Sequence, residues 1–390
     1  MRASPPISAR PATLHRIPSL DGLRAISIIL VMGLHSIQRV EITHPVSLIW
    51  PVLFNGGLGV SVFFVLSGFL ITRLLLHEMQ TRGRISVAGF YCKRAFRILP
   101  PLYAYIGVLV LLACAGRLAL SRIDVLSALF FFHNYALSSH SWAIEHLWSL
   151  SVEEQFYLLW PLVLILCLRS SEVLGRRRAT LIALAVIVLS PPLRILSFRL
   201  HQPLLHNGAG FHMHADLLMF GCCAALLEGR SRFEQAYRSL TRIPWLPFVA
   251  LALCSYLDMR FQNYWNFPIG DTVLGIVLVV VLLWCVRNAN SALGRMLNHP
   301  AVTHLGVLSY SIYIWQTLLL HGNNWSVFHG VEWMTRWPVS WIVAFALGET
   351  SFFLIERPAL RLRNLALRRG RIYDALATPA NKPAFVAAAE

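Results

Sequence analysis

LDGLRAISIILVMGLHSI, residues 20–37, decides how this chain is read. The run is apolar enough to cross a bilayer, yet it carries Arg24 and His35. Charged and titratable side chains inside such a run are expensive to bury and call for a reason. The two lie eleven residues apart, so on a helix they differ by about 20° around the axis and by roughly 16 Å along it. One helix face then presents a guanidinium near one membrane surface and an imidazole about half a bilayer deeper. That pairing suits an anion held at the surface while chemistry proceeds at the imidazole. It also suits a flanking arginine that snorkels and a histidine satisfied inside the bundle.

The rest of the chain extends this reading. Of 390 residues, 56% are hydrophobic and 13% charged, against about 25% charged in soluble domains, and mean hydropathy is +0.59. The apolar residues gather in many runs long enough to span as helices. The expected fold is an all-α polytopic membrane protein, a bundle of about ten transmembrane helices. The net charge of +16 does not indicate nucleic acid, because the arginines sit in short loops between apolar runs. The seven cysteines have no ligand spacing and read as small buried hydrophobes. No cleavable signal peptide is expected, since the first apolar run lacks a small-residue cleavage site.

Candidate spans fall at about 20–38, 57–77, 99–119, 151–168, 179–199, 213–229, 244–262, 269–287, 301–320 and 338–356. A further apolar piece, about 123–136, leads into HNYALSSHSWAIEHLWSLS (133–151). If that piece does not cross, 27 of the 34 Lys and Arg residues fall on one side. The positive-inside rule then places both termini in the cytoplasm and makes 123–150 a re-entrant outer segment. Irregular backbone at that depth must be buried by protein or reached by water, which makes it a place to look for a site. The expected division is a cytoplasmic tail at 1–18, a transmembrane domain at 19–363, and a basic then disordered tail at 364–390. No repeat of the transporter kind is evident.

Five segments carry candidate chemistry. Asp21 and Arg24 stand at i, i+3 and can pair, while His35 is a natural proton acceptor. GGLGVSVFFVLSGFLITRLL (56–75) contains Gly57, Gly59, Ser61, Ser67 and Gly68, small residues that let helices approach closely or leave room for a thin ligand arm. The stretch FYCKRAFRILPPLYAY (90–105) reads as a loop. Its Lys93, Arg94 and Arg97 either bind phosphate or obey the positive-inside rule. The adjoining Pro100-Pro101, Tyr103 and Tyr105 suggest a shaped entrance. In HLWSLSVEEQFYLLWP (146–161), Glu153 and Glu154 open an apolar helix capped by Ser149 or Ser151, and Glu153 shares a face with Tyr157. Trp148 lies just ahead of them. SYSIYIWQ (309–316) repeats Tyr310, Tyr313 and Gln316 at three-residue spacing. His201, His206, His212 and His214 fit no zinc spacing, and no metal is expected.

Together these segments resemble the membrane acyltransferase 3 family. The matching pieces are SLDGLRAISIILVMGLHS, GVSVFFVLSGFLIT, KRAFRILPPLY, LWSLSVEEQFYLLWP, SYSIYIWQ and ERPALRL, in family order from residue 19 to about 363. Gln316 departs from a motif that often ends in histidine. The resemblance implies transfer of an acyl group, usually acetyl, from cytoplasmic acyl-CoA to an acceptor outside the membrane, with acceptors such as lipopolysaccharide and exopolysaccharide sugars. It implies a bacterial inner-membrane location. Some members add a C-terminal esterase-like domain, and this chain resembles the stand-alone type.

On that footing CoA phosphates are expected against Arg24, Lys93, Arg94 and Arg97, with Tyr103 nearby. His35 acts as general base or is itself acylated transiently. Glu153 orients His35, and Tyr157 or Tyr103 polarises the thioester oxygen. Glu154, Trp148 and Tyr310 are the expected acceptor contacts, with a glycan or glycolipid, acyl-CoA and the lipid bilayer as partners. The competing reading is a transporter, which would move substrate without releasing CoA.

Overall fold

The computed structural model of the chain describes residues 17–37, 54–136, 141–169, 171–200, 208–265, 269–322 and 324–366. Both terminal tails, His201, His206, Asn207, Asn323 and the Trp325 side chain lie outside the described residues. Every regular element among the described residues is helical.

A helix stands at each of the ten places marked by an apolar run. These are α1 (Pro18–Ile37), α2 (Gly56–Arg82), α3 (Val87–Cys114), α5 (Leu147–Leu168), α6 (Glu172–Leu200), α7 (Phe211–Leu227), α9 (Leu246–Trp265), α10 (Asp271–Arg287), α12 (Pro300–Leu320) and α13 (Val339–Ser351). Three short helices join them: α4 (Arg122–Leu129), α8 (Ser231–Leu240) and α11 (Ala292–Leu297). Among the described residues, six helices are long and apolar enough to cross a membrane, namely α1, α2, α3, α5, α6 and α13, the last running on to Ala366. The chain is a multi-pass membrane protein.

Two sequence expectations change, and a third gains detail. Residues 90–105 are not a loop: α3 begins at Val87, where the Ser86 side chain accepts from the Gly89 amide, and it continues through Pro100 and Pro101. Prolines are tolerated in membrane helices where neighbours satisfy the backbone they disturb. The carbonyls that lose an amide partner are those of Phe96 and Arg97, and next to them the Tyr310 hydroxyl of α12 donates to the Ile98 carbonyl at 2.7 Å. Next, α5 starts a turn earlier than expected, so neither Ser149 nor Ser151 caps it. Ser151 donates back to the Leu147 carbonyl, and Ser149 meets the Tyr313 hydroxyl at 2.7 Å. Glu153 and Glu154 therefore lie inside the helix. Finally, the 123–136 piece folds as α4 and a turn of 3-10 helix, His133–Tyr135. Eight residues of α4 rise about 12 Å, too short to span. Gln155 of α5 anchors this segment, since its amide nitrogen donates to the Phe131 carbonyl at 2.9 Å and to the Asn134 side chain at 2.8 Å.

The centre of the bundle is α1, packed between α2 and α12. Without a hydrophobic force between helices in lipid, close backbone approach at small residues supplies the packing. A Cβ built on Gly59 would lie 2.6 Å from the Ser27 carbonyl of α1. Gly68 of α2 and Gly221 of α7 interlock: a Cβ on the first would strike the Leu218 carbonyl, and one on the second the Val65 carbonyl. Of the small residues in the second motif, Gly59 and Gly68 thus serve packing, whereas Ser67 faces a cavity.

After Ser351 the last helix passes through a π turn, Phe352–Glu356. Such a bulge rotates the following side chains relative to a regular helix. Glu356, from the ERPALRL segment, is buried there and accepts a hydrogen bond from Ser311 of α12 at 3.0 Å.

Candidate active site

Arg24 and His35 occupy the two ends of the unbroken helix α1, and each end holds its own constellation. At the Arg24 end, five helices enclose a cavity of about 80 Å³. Arg24 comes from α1, Ser67 from α2, Arg94 and Arg97 from α3, Glu153 and Tyr157 from α5, and Tyr310 and Tyr313 from α12. Arg24 also reaches Asp21 at 3.3 Å. The Ser67 hydroxyl donates to Glu153 at 2.6 Å and accepts from the Tyr157 hydroxyl at 2.9 Å. The Arg94 guanidinium lies 4.0 Å from the centre of the Tyr157 ring, a cation–π contact. Three guanidiniums thus line one otherwise largely apolar cavity, an arrangement able to give charge-assisted hydrogen bonds to anionic oxygens.

At the other end, His35 Nδ1 lies 2.8 Å from Gln316 Oε1. The Gln316 amide nitrogen donates to the Thr317 hydroxyl at 2.8 Å, which leaves the oxygen for the imidazole. Nδ1 thus carries the proton, and Nε2 holds the free lone pair. Gln316 occupies the place a carboxylate takes in a triad. Nearby, His321 lies 3.6 Å from Glu145 and stacks on Trp142.

A cavity of about 570 Å³ lies toward the same end, lined by Glu145, Trp148, His214, Asp258 and Asp271 among others, and His35 is not on its wall. The Trp148 and His214 rings pack with centroids 5.0 Å apart. In the wall of this cavity Arg194, buried in α6, bonds to Asp216 of α7, to the Met213 carbonyl at 2.8 Å and to Thr272 of α10 at 3.1 Å. Asp271 lies 3.8 Å from Arg194 and 3.5 Å from His214.

The structure redistributes several expected roles. Glu153 bonds to Ser67 and faces the arginine cavity, so it does not orient His35. Tyr103 projects to the exterior of α3, 46% exposed, because two residues on a helix turn it by about 200° from the buried Tyr105. It therefore polarises no thioester. Lys93 is absent from the cavity wall, a register step away from Arg94. Tyr310 lies at the Arg24 end and not with the acceptor contacts expected of it, whereas Trp148 does line the larger cavity. Glu154 lines neither cavity, and its Oε1 is buried without a hydrogen-bond partner. No group of three or more His, Cys, Asp or Glu side chains suited to a metal ion occurs among the described residues.

A family profile described as an acyltransferase domain matches residues 17–355. The chain belongs to the acyltransferase 3 family. Among relatives in this family, the chain is 30% identical to YrhL of Bacillus subtilis, provisionally named a peptidoglycan O-acetyltransferase, over 88% of this chain and 55% of that protein. It is 25% identical to the peptidoglycan O-acetyltransferase OatA of Listeria monocytogenes over the same shares. It is 27% identical to SACOL0978 of Staphylococcus aureus, provisionally named an O-acetyltransferase, over 77% of this chain and 50% of that protein. The chain thus spans about half the length of the curated relatives it matches. No solved structure matches it at a significant level.

Two features of this acyltransferase 3 chain escaped the sequence reading. Arg194, Asp216 and Thr272 are polar residues inside apolar runs, the same signal that singled out Arg24 and His35. Glu356 lay in a recognised segment but gained its inward placement only through the π turn.

Proposed function

We propose that the chain is an integral-membrane O-acetyltransferase that moves an acetyl group from cytoplasmic acetyl-CoA to a hydroxyl of an envelope glycan across the bilayer. The observation that supports this most is the alignment on α1 of an arginine-lined cavity at Arg24 with a tautomer-fixed imidazole at His35, beside a larger cavity. The names of the relatives support acetyl as the group and peptidoglycan as the first acceptor to test, with lipopolysaccharide and exopolysaccharide beside it.

In this reading the phosphates of CoA sit against Arg24, Arg94 and Arg97, and the pantetheine arm runs past Ser67 and Tyr157 toward His35. A cytoplasmic donor then serves an acceptor on the far side without leaving the cell. His35 Nε2 takes the proton of the acceptor hydroxyl as its oxygen attacks the thioester carbonyl. The C–S bond breaks, and the imidazolium returns the proton to the departing CoA thiolate. Trp148 offers a flat face to a sugar ring, and Asp258 and Asp271 offer acceptors for its hydroxyls. The ten helices all cross, both termini lie in the cytoplasm of a bacterial inner membrane, and residues 19–363 form the acyltransferase unit.

Purified full chain in nanodiscs, given radiolabelled acetyl-CoA and a panel of envelope glycans, tests this. Label on a glycan with stoichiometric CoA release in wild type, lost in His35→Ala that is folded, is the expected result. Glycan export without CoA release would overturn it.

A further inference from the structure

At the Arg24 end of the bundle, well away from α1, the first turns of α6, the last turn of α7 and the start of α8 enclose a groove of about 900 Å³. Its rim carries Arg177, Arg230 and Arg232, all exposed. None of the three makes an ion pair among the described residues, and no acidic side chain lines the groove. The nearest acids in sequence are already engaged: Glu172 pairs with Arg176 at 3.1 Å, Glu228 with Arg73 at 3.9 Å and Glu234 with Arg287 at 2.7 Å. The wall below the rim is apolar, formed by Val173, Leu174, Leu181, Leu226, Leu227 and Phe233.

The apolar wall continues into the membrane. Val173, Leu181, Leu184 and Val188 are 71%, 57%, 42% and 69% exposed. Their spacing puts them on one stripe of α6, and Arg177 interrupts that stripe at its upper end. Exposed leucine and valine on a membrane-crossing helix face hydrocarbon. A ligand that satisfies both parts has an anionic head at the arginines and an acyl chain along the stripe. α8 reinforces the frame: Tyr237 is buried, Arg287 stacks on its ring at 4.3 Å, and the Arg287–Glu234 pair at 2.7 and 2.9 Å pins the helix to α10. The helix that carries Arg232 is therefore fixed to α10.

We infer that the groove between α6, α7 and α8 is a binding site for an anionic phospholipid of the surrounding bilayer, its phosphate held by Arg177, Arg230 and Arg232. Basic recesses between helices at a membrane surface recognise such headgroups through charge and guanidinium geometry. The site stands apart from the acyl-transfer reading and does not depend on it.

Native mass spectrometry of the full chain tests this, after reconstitution with equal amounts of phosphatidylglycerol and phosphatidylcholine and release into detergent. Wild type should retain phosphatidylglycerol selectively. Each arginine near an anionic lipid is worth about fivefold, so Arg177→Gln/Arg230→Gln/Arg232→Gln should retain roughly a hundredfold less. Phosphatidylcholine retention should not change. Arg361→Gln, an exposed arginine outside the groove, should behave as wild type. If the triple variant misfolds by size-exclusion chromatography, Arg177→Gln alone should lose about fivefold, with Arg177→Lys recovering most of it. Equal retention by wild type and variant overturns the site. So does an equal fall in both lipids, which marks a merely apolar groove, or displacement of phosphatidylglycerol by millimolar inorganic phosphate, which marks a free-anion site.

Discussion

His35 Nδ1 and Gln316 Oε1 are 2.8 Å apart, and that contact fixes which nitrogen of the imidazole is free. A neutral amide thus does the orienting that a carboxylate does in a triad, without placing a second charge in the membrane. Gln316→Leu should lower kcat by about a hundredfold or more while leaving the KM for acetyl-CoA within about twofold, read from initial rates in nanodiscs. A fall in donor affinity with kcat intact would contradict the orienting role.

The proposed donor site separates the basic residues of α3. Arg94→Gln and Arg97→Gln should each raise the KM for acetyl-CoA by about tenfold or more, the scale of one charged hydrogen bond. Lys93→Gln and Tyr103→Phe should change it little, since neither side chain reaches the cavity. Isothermal titration with CoA ranks all four.

The Arg194–Asp216 pair is wholly buried. Removing Asp216 leaves the buried Arg194 with Asp271 at 3.8 Å as its remaining charged neighbour, so Asp216→Leu alone should cost about 1–3 kcal/mol. Arg194→Met/Asp216→Leu together should recover most of that loss, as measured by thermal unfolding in detergent.

Glycines at helix crossings and on exposed faces should respond oppositely. Gly68→Ala forces a methyl group into the α7 backbone and should cost about 1–3 kcal/mol or more. Gly107 has nothing within 4 Å of its would-be Cβ, so Gly107→Ala should hold or gain up to about 1 kcal/mol from helix propensity. Melting temperatures of the two variants decide this.

Glu145 lies in the connection ahead of α5. His321 above all, with His35 and His133, holds its carboxyl below the usual carboxylate range despite some desolvation. A depressed carboxyl contributes stability that is present above its unfolded value, about 4.3, and is lost as pH falls through its folded value. The melting-temperature gap between wild type and Glu145→Gln should therefore be present at neutral pH and close below about pH 4. The side chain is 69% exposed, so the gap should be small and shrink with salt.

The helices were legible because apolar runs declare themselves through length alone. Their ends were less so. KRAFRILPP looked like a loop because paired prolines usually end a helix, and here Tyr310, more than two hundred residues on, satisfies a carbonyl beside them. Arg24 and His35 were legible as charges in an apolar setting, and their separation along α1 followed from helix geometry. The partner of His35 was not, since the contact joins residues 281 apart in sequence and no local spacing records it. Glu153 was assigned to the imidazole on chemical type. Its helix register instead turns it to Ser67.

Gly68 and Gly221 bring the backbones of α2 and α7 into direct contact. The arginine cavity of about 80 Å³ therefore has one wall, carrying Ser67, that is braced against a second helix. The facing wall, α3, lacks amide hydrogens at Pro100 and Pro101 just beyond Arg97, the kind of position at which helices kink. The cavity is thus braced on its Ser67 side and least restrained by backbone hydrogen bonds on the side that carries Arg94 and Arg97.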